Sequence, residues 1–236
     1  MIQTNDLTID YGNNNGIFNI NLTIDHGDIY AIVGHSGCGK TTLLHALAGI
    51  LRPDKGTITI HDHKGNITHP GLIQQKDALF PWFNVSKNIA LGLKESKEMI
   101  NNKINTILMH LDLVNYRNHY PAQLSGGQKQ RVSIGRTLVS NPDVLLMDEP
   151  TASLDAFTKE ALQDLLLKLY IEKQRTTLFV THSIEEAVFL ANKILIMDKG
   201  VIVETYDNPL EHSLSLRDSP DFYAVVKDIR LMMGGL

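Results

Sequence analysis

One stretch constrains this chain more than any other: Gly34-His35-Ser36-Gly37-Cys38-Gly39-Lys40-Thr41. It fits G-x-x-x-x-G-K-[ST] and stands between an all-apolar run, Ile29-Tyr-Ala-Ile-Val33, and a stretch of helical spacing, Thr41 to Leu51. An apolar run without alternation is the mark of a strand buried on both faces, as in a parallel sheet. Glycines at 34, 37 and 39 let the backbone curl so that successive N–H groups face an anion. A helix starting near Lys40 adds the positive end of its dipole. The Lys40 ammonium can reach β- and γ-phosphates, the Thr41 hydroxyl can ligate Mg²⁺, and Thr42 can support an α-phosphate. Cys38, inside the loop, reads as a small residue filling space beside a nucleotide rather than as a redox switch.

Around this loop the pattern alternates. Leu7 to Tyr11 and Phe18 to Ile24 carry period-two spacing, which predicts antiparallel strands, with a tight turn at Asn13-Asn14-Asn15 between Gly12 and Gly16. Thr57 to Ile60 reads as a return strand. Helical spacing dominates Lys87–Leu93, Lys97–Leu113 and Gly126–Val139, so residues 78–140 read as a helical insert. Strand-like runs resume at Val144–Met147, Thr177–Val180 and Ile194–Met197, separated by helical stretches near Thr158–Glu172 and Ile184–Ala191. Alternating strands and helices predict a largely parallel α/β sheet. Asp218 to Met232 reads as a closing helix.

Composition narrows the class further. Lys and Arg number 22 against 26 Asp and Glu, for a net charge of −4, which leaves no basic footprint for nucleic acid. No apolar run exceeds five residues, where a spanning helix needs about 20. The N-terminus lacks the basic and apolar segments of a secretory signal. The single cysteine cannot form an internal disulfide and fits a reducing compartment.

A second motif, Val144-Leu-Leu-Met-Asp148-Glu149-Pro150, is an apolar strand ending in two carboxylates. Buried strands of such sheets deliver their C-terminal ends to the ligand crevice. Asp148 is then placed to hold Mg²⁺ and Glu149 to orient or deprotonate a water. A third, Leu124-Ser125-Gly126-Gly127-Gln128-Lys-Gln-Arg131, offers another helix N-terminus bare of bulky side chains, about 90 residues beyond the first.

With Leu-Ser-Gly-Gly-Gln lying between the phosphate loop and the Asp-Glu strand, the chain resembles an ATP-binding-cassette (ABC) transporter ATPase subunit, from about residue 1 to 205. The resemblance implies a P-loop NTPase (RecA-like) α/β core with an N-terminal antiparallel β subdomain and a helical insert: core and β subdomain at 1–77 and 141–210, insert at 78–140, terminal helix at 211–236. It implies ATP and Mg²⁺, with nucleotide contacts from residues 34–42, including His35 and Ser36. In the family, Ser125, Gly126, Gly127 and Gln128 serve the nucleotide of a second copy packed head to tail, and Asp155 of Ala152-Ser-Leu-Asp155 crosses that interface. Tyr11 resembles the aromatic that stacks on adenine, although its place in an alternating run also admits a core-facing tyrosine. Gln75 resembles the glutamine that touches Mg²⁺ and the attacking water, chosen over Gln74 because Pro81-Trp82 follows at the usual spacing. His182, in Val-Thr-His-Ser after a strand, resembles the histidine that contacts the γ-phosphate.

The segment Leu79-Phe80-Pro81-Trp82-Phe83 follows the glutamine and opens the insert. In transporter cassettes this region receives a helix of the membrane permease, and the pattern resembles the subgroup serving nitrate, sulfonate, taurine, bicarbonate or thiamine-precursor uptake. The expectation is therefore a cytoplasmic importer subunit, peripheral on the inner face of the membrane, coupled indirectly to a solute-binding protein. Exporter-type and non-transport cassettes are the alternatives. His61 and His63, two apart, would suit a metal ion if further ligands joined them; without those they read as exposed turn residues.

Overall fold

The computed structural model describes residues 1–74, 79–152 and 154–234. Strands β1 (Ile2–Asp10) and β2 (Gly16–Ile24) pair antiparallel. The turn between them places Asn13 and Asn14 at positive φ, a conformation asparagine tolerates. After β3 (Ile29–Val33) and helix α1 (Lys40–Leu47), strand β4 (Lys55–Ile60) returns to the free edge of β1. These give a three-stranded antiparallel sheet in the order β2-β1-β4. Helix α1 ends before the expected Leu51 because Ala48 and Gly49 close it, Gly49 with a φ of 73°.

The second sheet is built on β3. Short β5 (Gly71–Ile73), β6 (Val144–Asp148), β7 (Thr176–Val180) and β8 (Lys193–Asp198) join it in parallel, and β9 (Val201–Asp207) adds an antiparallel edge, in the order β5-β6-β7-β3-β8-β9. Neither β5 nor β9 was expected from the sequence. All five residues of β3, of β6 and of β7 are buried, as the unbroken apolar run of β3 predicts, although β6 ends in Asp148 and β7 opens on Thr176 and Thr177.

Each central strand feeds two cores. Ala31, Phe179 and Ile196 face one that holds α4 (Gly126–Leu138), α5 (Ala156–Lys173), α6 (Ile184–Leu190) and α7 (Pro220–Gly234). Ile32, Val180 and Met197 face the other, filled by α1 and the antiparallel sheet. Each fully buried aliphatic side chain contributes about 2 kcal/mol of transfer free energy, so α1, with Leu43, Leu44 and Leu47 inside, is fixed firmly under the glycine loop.

Between β5 and β6 lie α2 (Val85–Ile89), α3 (Lys97–His110) and α4, packed on one another. Gly135 makes the α3–α4 approach possible: a Cβ there would lie 2.8 Å from Leu111 and 3.0 Å from Ile107. Asn84, Ser96, Ser125 and Asp155 cap α2 to α5 through side-chain oxygens. No helix among the described residues is long and apolar enough to cross a membrane.

Candidate active site

The C-terminal ends of β3, β6 and β7 converge on a cavity of about 490 Å³. Gly34, Ser36, Gly37, Gly39, Lys40, Thr41 and Thr42 line it together with Glu149, His182 and Tyr11. The glycines are required by contact as well as conformation. A Cβ on Gly34 would lie 2.2 Å from the Met197 carbonyl oxygen, and one on Gly39 would lie 2.9 Å from Ile17. Gly37, at φ 82°, meets nothing but needs the left-handed region. Gly39 caps α1 with no side-chain acceptor, so the first N–H groups of the helix remain available to an anion.

Lys40 is buried, and its ammonium donates to the carbonyls of Gly34 and His35, both at 2.9 Å. The charge thus sits inside the curl of its own loop. Cys38 is buried with its Sγ 3.7 Å from the same Nζ, while His35 and Ser36 are exposed.

Thr41 Oγ1 donates to Asp148 Oδ1 at 3.3 Å. Burial holds the Asp148 carboxyl above the ordinary aspartate range, opposed by the Thr41 hydrogen bond and by the nearby His45 and Lys40. His45 Nε2 lies 4.0 Å from Asp148 Oδ2. Glu149 turns sharply out of β6, at φ 46°, and its N–H donates to Val180 O at 3.0 Å. That turn brings its Oε2 to 3.6 Å from His182 Nδ1. A carboxylate and an imidazole within reach of each other, facing a glycine loop, can move a proton at a phosphate.

Tyr11 is 59% exposed and lies just beyond β1, with its N–H donating to Asn15 O at 2.8 Å. It is not a core residue. Asn15 and Gly16 also line the cavity; the Gly-flanked asparagine run signalled a turn and nothing more. Gln75 lies outside the described residues.

Ser125, Gly126, Gly127, Gln128 and Asp155 do not line this cavity. Ser125 and Gln128 form a reciprocal cap: Ser125 Oγ accepts from Gln128 N at 3.3 Å, and Gln128 Oε1 from Ser125 N at 2.9 Å. Ser125, Gly127 and Gln128 open instead onto a separate hollow of about 380 Å³ with Phe157 and Thr158. Asp155 accepts from the Thr158 hydroxyl at 2.7 Å and the Thr158 N–H at 3.1 Å, which hold its carboxyl below the usual range.

Trp82 is 65% exposed and Leu79 is half-buried. Phe80 packs at a tilt against both Trp82 and Phe83, with centroids at 5.4 and 5.9 Å. The fully buried Asn88 shapes this turn, accepting from Phe80 N and donating to the carbonyls of Phe80, Phe83 and Asn84. His63 pairs with Asp143 at 2.6 Å, and no group of three or more His, Cys, Asp or Glu among the described residues is placed to hold a metal.

Residues 17–152 match the family model described as ABC transporter. The taurine import ATP-binding protein TauB of Escherichia coli (strain K12) is 38% identical over 95% of this chain and 94% of its own length. The aliphatic sulfonates import ATP-binding protein SsuB of Bacillus cereus is 39% identical over 92% and 89%. Among solved structures, the dimeric bacterial ABC transporter cassette MJ0796 superposes with a TM-score of 0.77 at 29% identity, covering 89% of this chain and all of that one. The same cassette in a dimeric post-hydrolysis state with ADP and Pi gives 0.76 at 28%, with the same coverage. A glycine loop and an Asp-Glu strand end at one cavity, with Leu-Ser-Gly-Gly-Gln at a separate hollow, agree with these likenesses, and the chain belongs to the ABC transporter family.

Proposed function

We propose that this chain is the ATP-hydrolysing subunit of an ABC importer, working as a head-to-tail pair of copies. The observation that carries the hydrolytic reading is the 3.6 Å approach of His182 to Glu149 in the same cavity that Lys40 lines. In this reading the loop N–H groups and Lys40 bind the β- and γ-phosphates, and Tyr11 stacks on the base. Glu149 takes a proton from the attacking water, and His182 contacts the γ-phosphate, so that ATP and water give ADP and phosphate. Gln75 is assigned a place beside that water from its position in the sequence alone.

Thr41 and Asp148 supply a hydroxyl and a carboxylate oxygen 3.3 Å apart, hard donors that suit Mg²⁺. With no third acidic or histidine ligand converging among the described residues, most coordination positions fall to phosphate and water oxygens, as is usual for this ion. Bound there, Mg²⁺ would neutralise phosphate charge.

Ser125 to Gln128 and Asp155 lie off the cavity, so we assign them to the nucleotide of the second copy. The related proteins named for taurine and aliphatic sulfonate import support the import direction and a small sulfonate as cargo. The permease docks, in this reading, at Leu79, Phe80, Pro81 and Trp82, where an exposed indole stands on an ordered aromatic turn. The chain then works at the cytoplasmic face of the membrane, next to a permease and a solute-binding protein.

Phosphate release from Mg-ATP tests the reading. The wild-type chain turns over, and Glu149→Gln binds ATP without turning it over. A Glu149→Gln rate equal to wild type would remove Glu149 from its role.

A further inference from the structure

Glu186 carries a feature that the mechanism above does not use. It lies on α6, is 2% exposed, and none of the ion pairs among the described residues includes it. Its two carboxylate oxygens are shared between two hydroxyls: Oε1 accepts from Thr151 Oγ1 at 2.6 Å, and Oε2 from Thr181 Oγ1 at 2.5 Å. Both threonines are 1% exposed. Thr151 is two residues beyond Glu149, and Thr181 is the residue before His182. One buried carboxylate therefore ties together the two segments that deliver the Glu149–His182 pair.

The rest of the local bonding makes this tie specific. Thr181 Oγ1 also accepts from Ser183 N at 3.0 Å, so both neighbours of His182 are held. Thr181 N donates to Ile32 O at 3.1 Å, which anchors the same point to the strand leading into the glycine loop. Helix α6 does not need Glu186 for its cap, because Ser183 Oγ already accepts from Glu186 N at 3.2 Å. Burying a carboxyl group against two hydroxyls is an expensive way to gain stability. It is an effective way to fix an angle: a shift of about 1 Å at reacting groups can cost about 100-fold in rate.

We propose that Glu186, through Thr151 and Thr181, is a positioning residue that sets the placement of His182 against Glu149, a proposal that rests on the ATPase reading above. Neither Glu186 nor the two threonines line the nucleotide cavity, so the grip acts on turnover and not on binding.

The test uses the full chain with Mg-ATP and measures kcat and KM. Glu186→Gln and Thr181→Val are expected to lower kcat about 10- to 100-fold with KM within about threefold of wild type. Thr181→Ser, which restores the hydroxyl, is expected to keep kcat within about threefold of wild type. In a His182→Ala background, Glu186→Gln is expected to cost much less than it does alone, because both changes disable one unit. A wild-type kcat for Glu186→Gln overturns the proposal, and so does a full-sized additional loss in the His182→Ala background. If Glu186→Gln does not fold, Thr181→Val against Thr181→Ser decides: equal kcat values overturn it. The ATPase reading is read out separately: a wild-type chain that does not hydrolyse ATP, or a Glu149→Gln variant that does so at the wild-type rate, removes that reading and this proposal with it.

Discussion

His182 Nδ1 stands 3.6 Å from Glu149 Oε2, and the two residues reach that contact from the ends of adjacent parallel strands. The contact depends on backbone geometry: Glu149 must leave β6 at positive φ, held by Val180 O. Replacing the carboxylate while keeping its shape isolates the chemistry from the fold. Glu149→Gln is expected to lower kcat by at least about 100-fold while ATP affinity and melting temperature stay near wild type. Equilibrium nucleotide binding beside a phosphate-release assay checks it, and light scattering in ATP should find the variant accumulating as a dimer.

Gly34 has no room for a side chain. Its Cβ would lie 2.2 Å from Met197 O and 2.7 Å from Cys38 Sγ. Gly34→Ala is expected to destabilise the chain by about 2 kcal/mol and to weaken ATP binding, since the loop must open to admit the methyl group. Urea unfolding and nucleotide titration measure the two effects.

Trp82 should behave in the opposite way. An indole that is 65% exposed adds little to the core, so Trp82→Ala is expected to change stability by no more than about 0.5 kcal/mol and to spare ATP turnover by the isolated chain. Co-purification with the permease should be lost. Retained co-purification would send the docking assignment elsewhere.

Acid sensitivity is expected from His212. Its Nδ1 lies 3.2 Å from Phe189 O and its Nε2 3.2 Å from Asn192 Nδ2. Asn192 Oδ1 accepts from Ile29 N, which fixes the amide donor toward the ring. The neutral Nδ1–H tautomer satisfies both contacts, and a second proton would face a donor. Burial holds the ring below the ordinary histidine range, partly offset by the Phe189 carbonyl. At this ring the folded chain therefore binds fewer protons than the unfolded one. This contribution is complete above the unfolded value of about 6.5 and is lost as pH falls through the depressed folded value. Melting temperature should fall between pH 7 and pH 5, and His212→Gln should make that fall shallower by roughly a degree or two.

Much of this fold is legible in the residues because burial and periodicity coincide there. Ile29–Val33 and Val144–Met147 are apolar throughout and are buried throughout. Where burial is weak the signal fades. Strand β9 is an edge whose Val201 and Val203 face solvent, so no apolar face marks it. Its best clue is the turn before it, Lys199-Gly200, with both residues at positive φ. Strand β5 is three residues long, too short for any period. The phosphate loop and the Asp-Glu strand end are local motifs and could be read directly. The carboxylate of Glu186 could not, because its meaning lies in two threonines 35 and 5 residues away in sequence.

The hollow at Ser125 and the cavity at Lys40 share no lining residue. Under the proposed pairing this separation has a genetic signature. A copy carrying Lys40→Ala and a copy carrying Ser125→Arg are each inactive with their own kind. Mixed, they form pairs in which both defects fall on one nucleotide position and the other position is built entirely from intact parts. Two null alleles of the same gene should therefore complement each other, and a single copy carrying both changes should rescue neither.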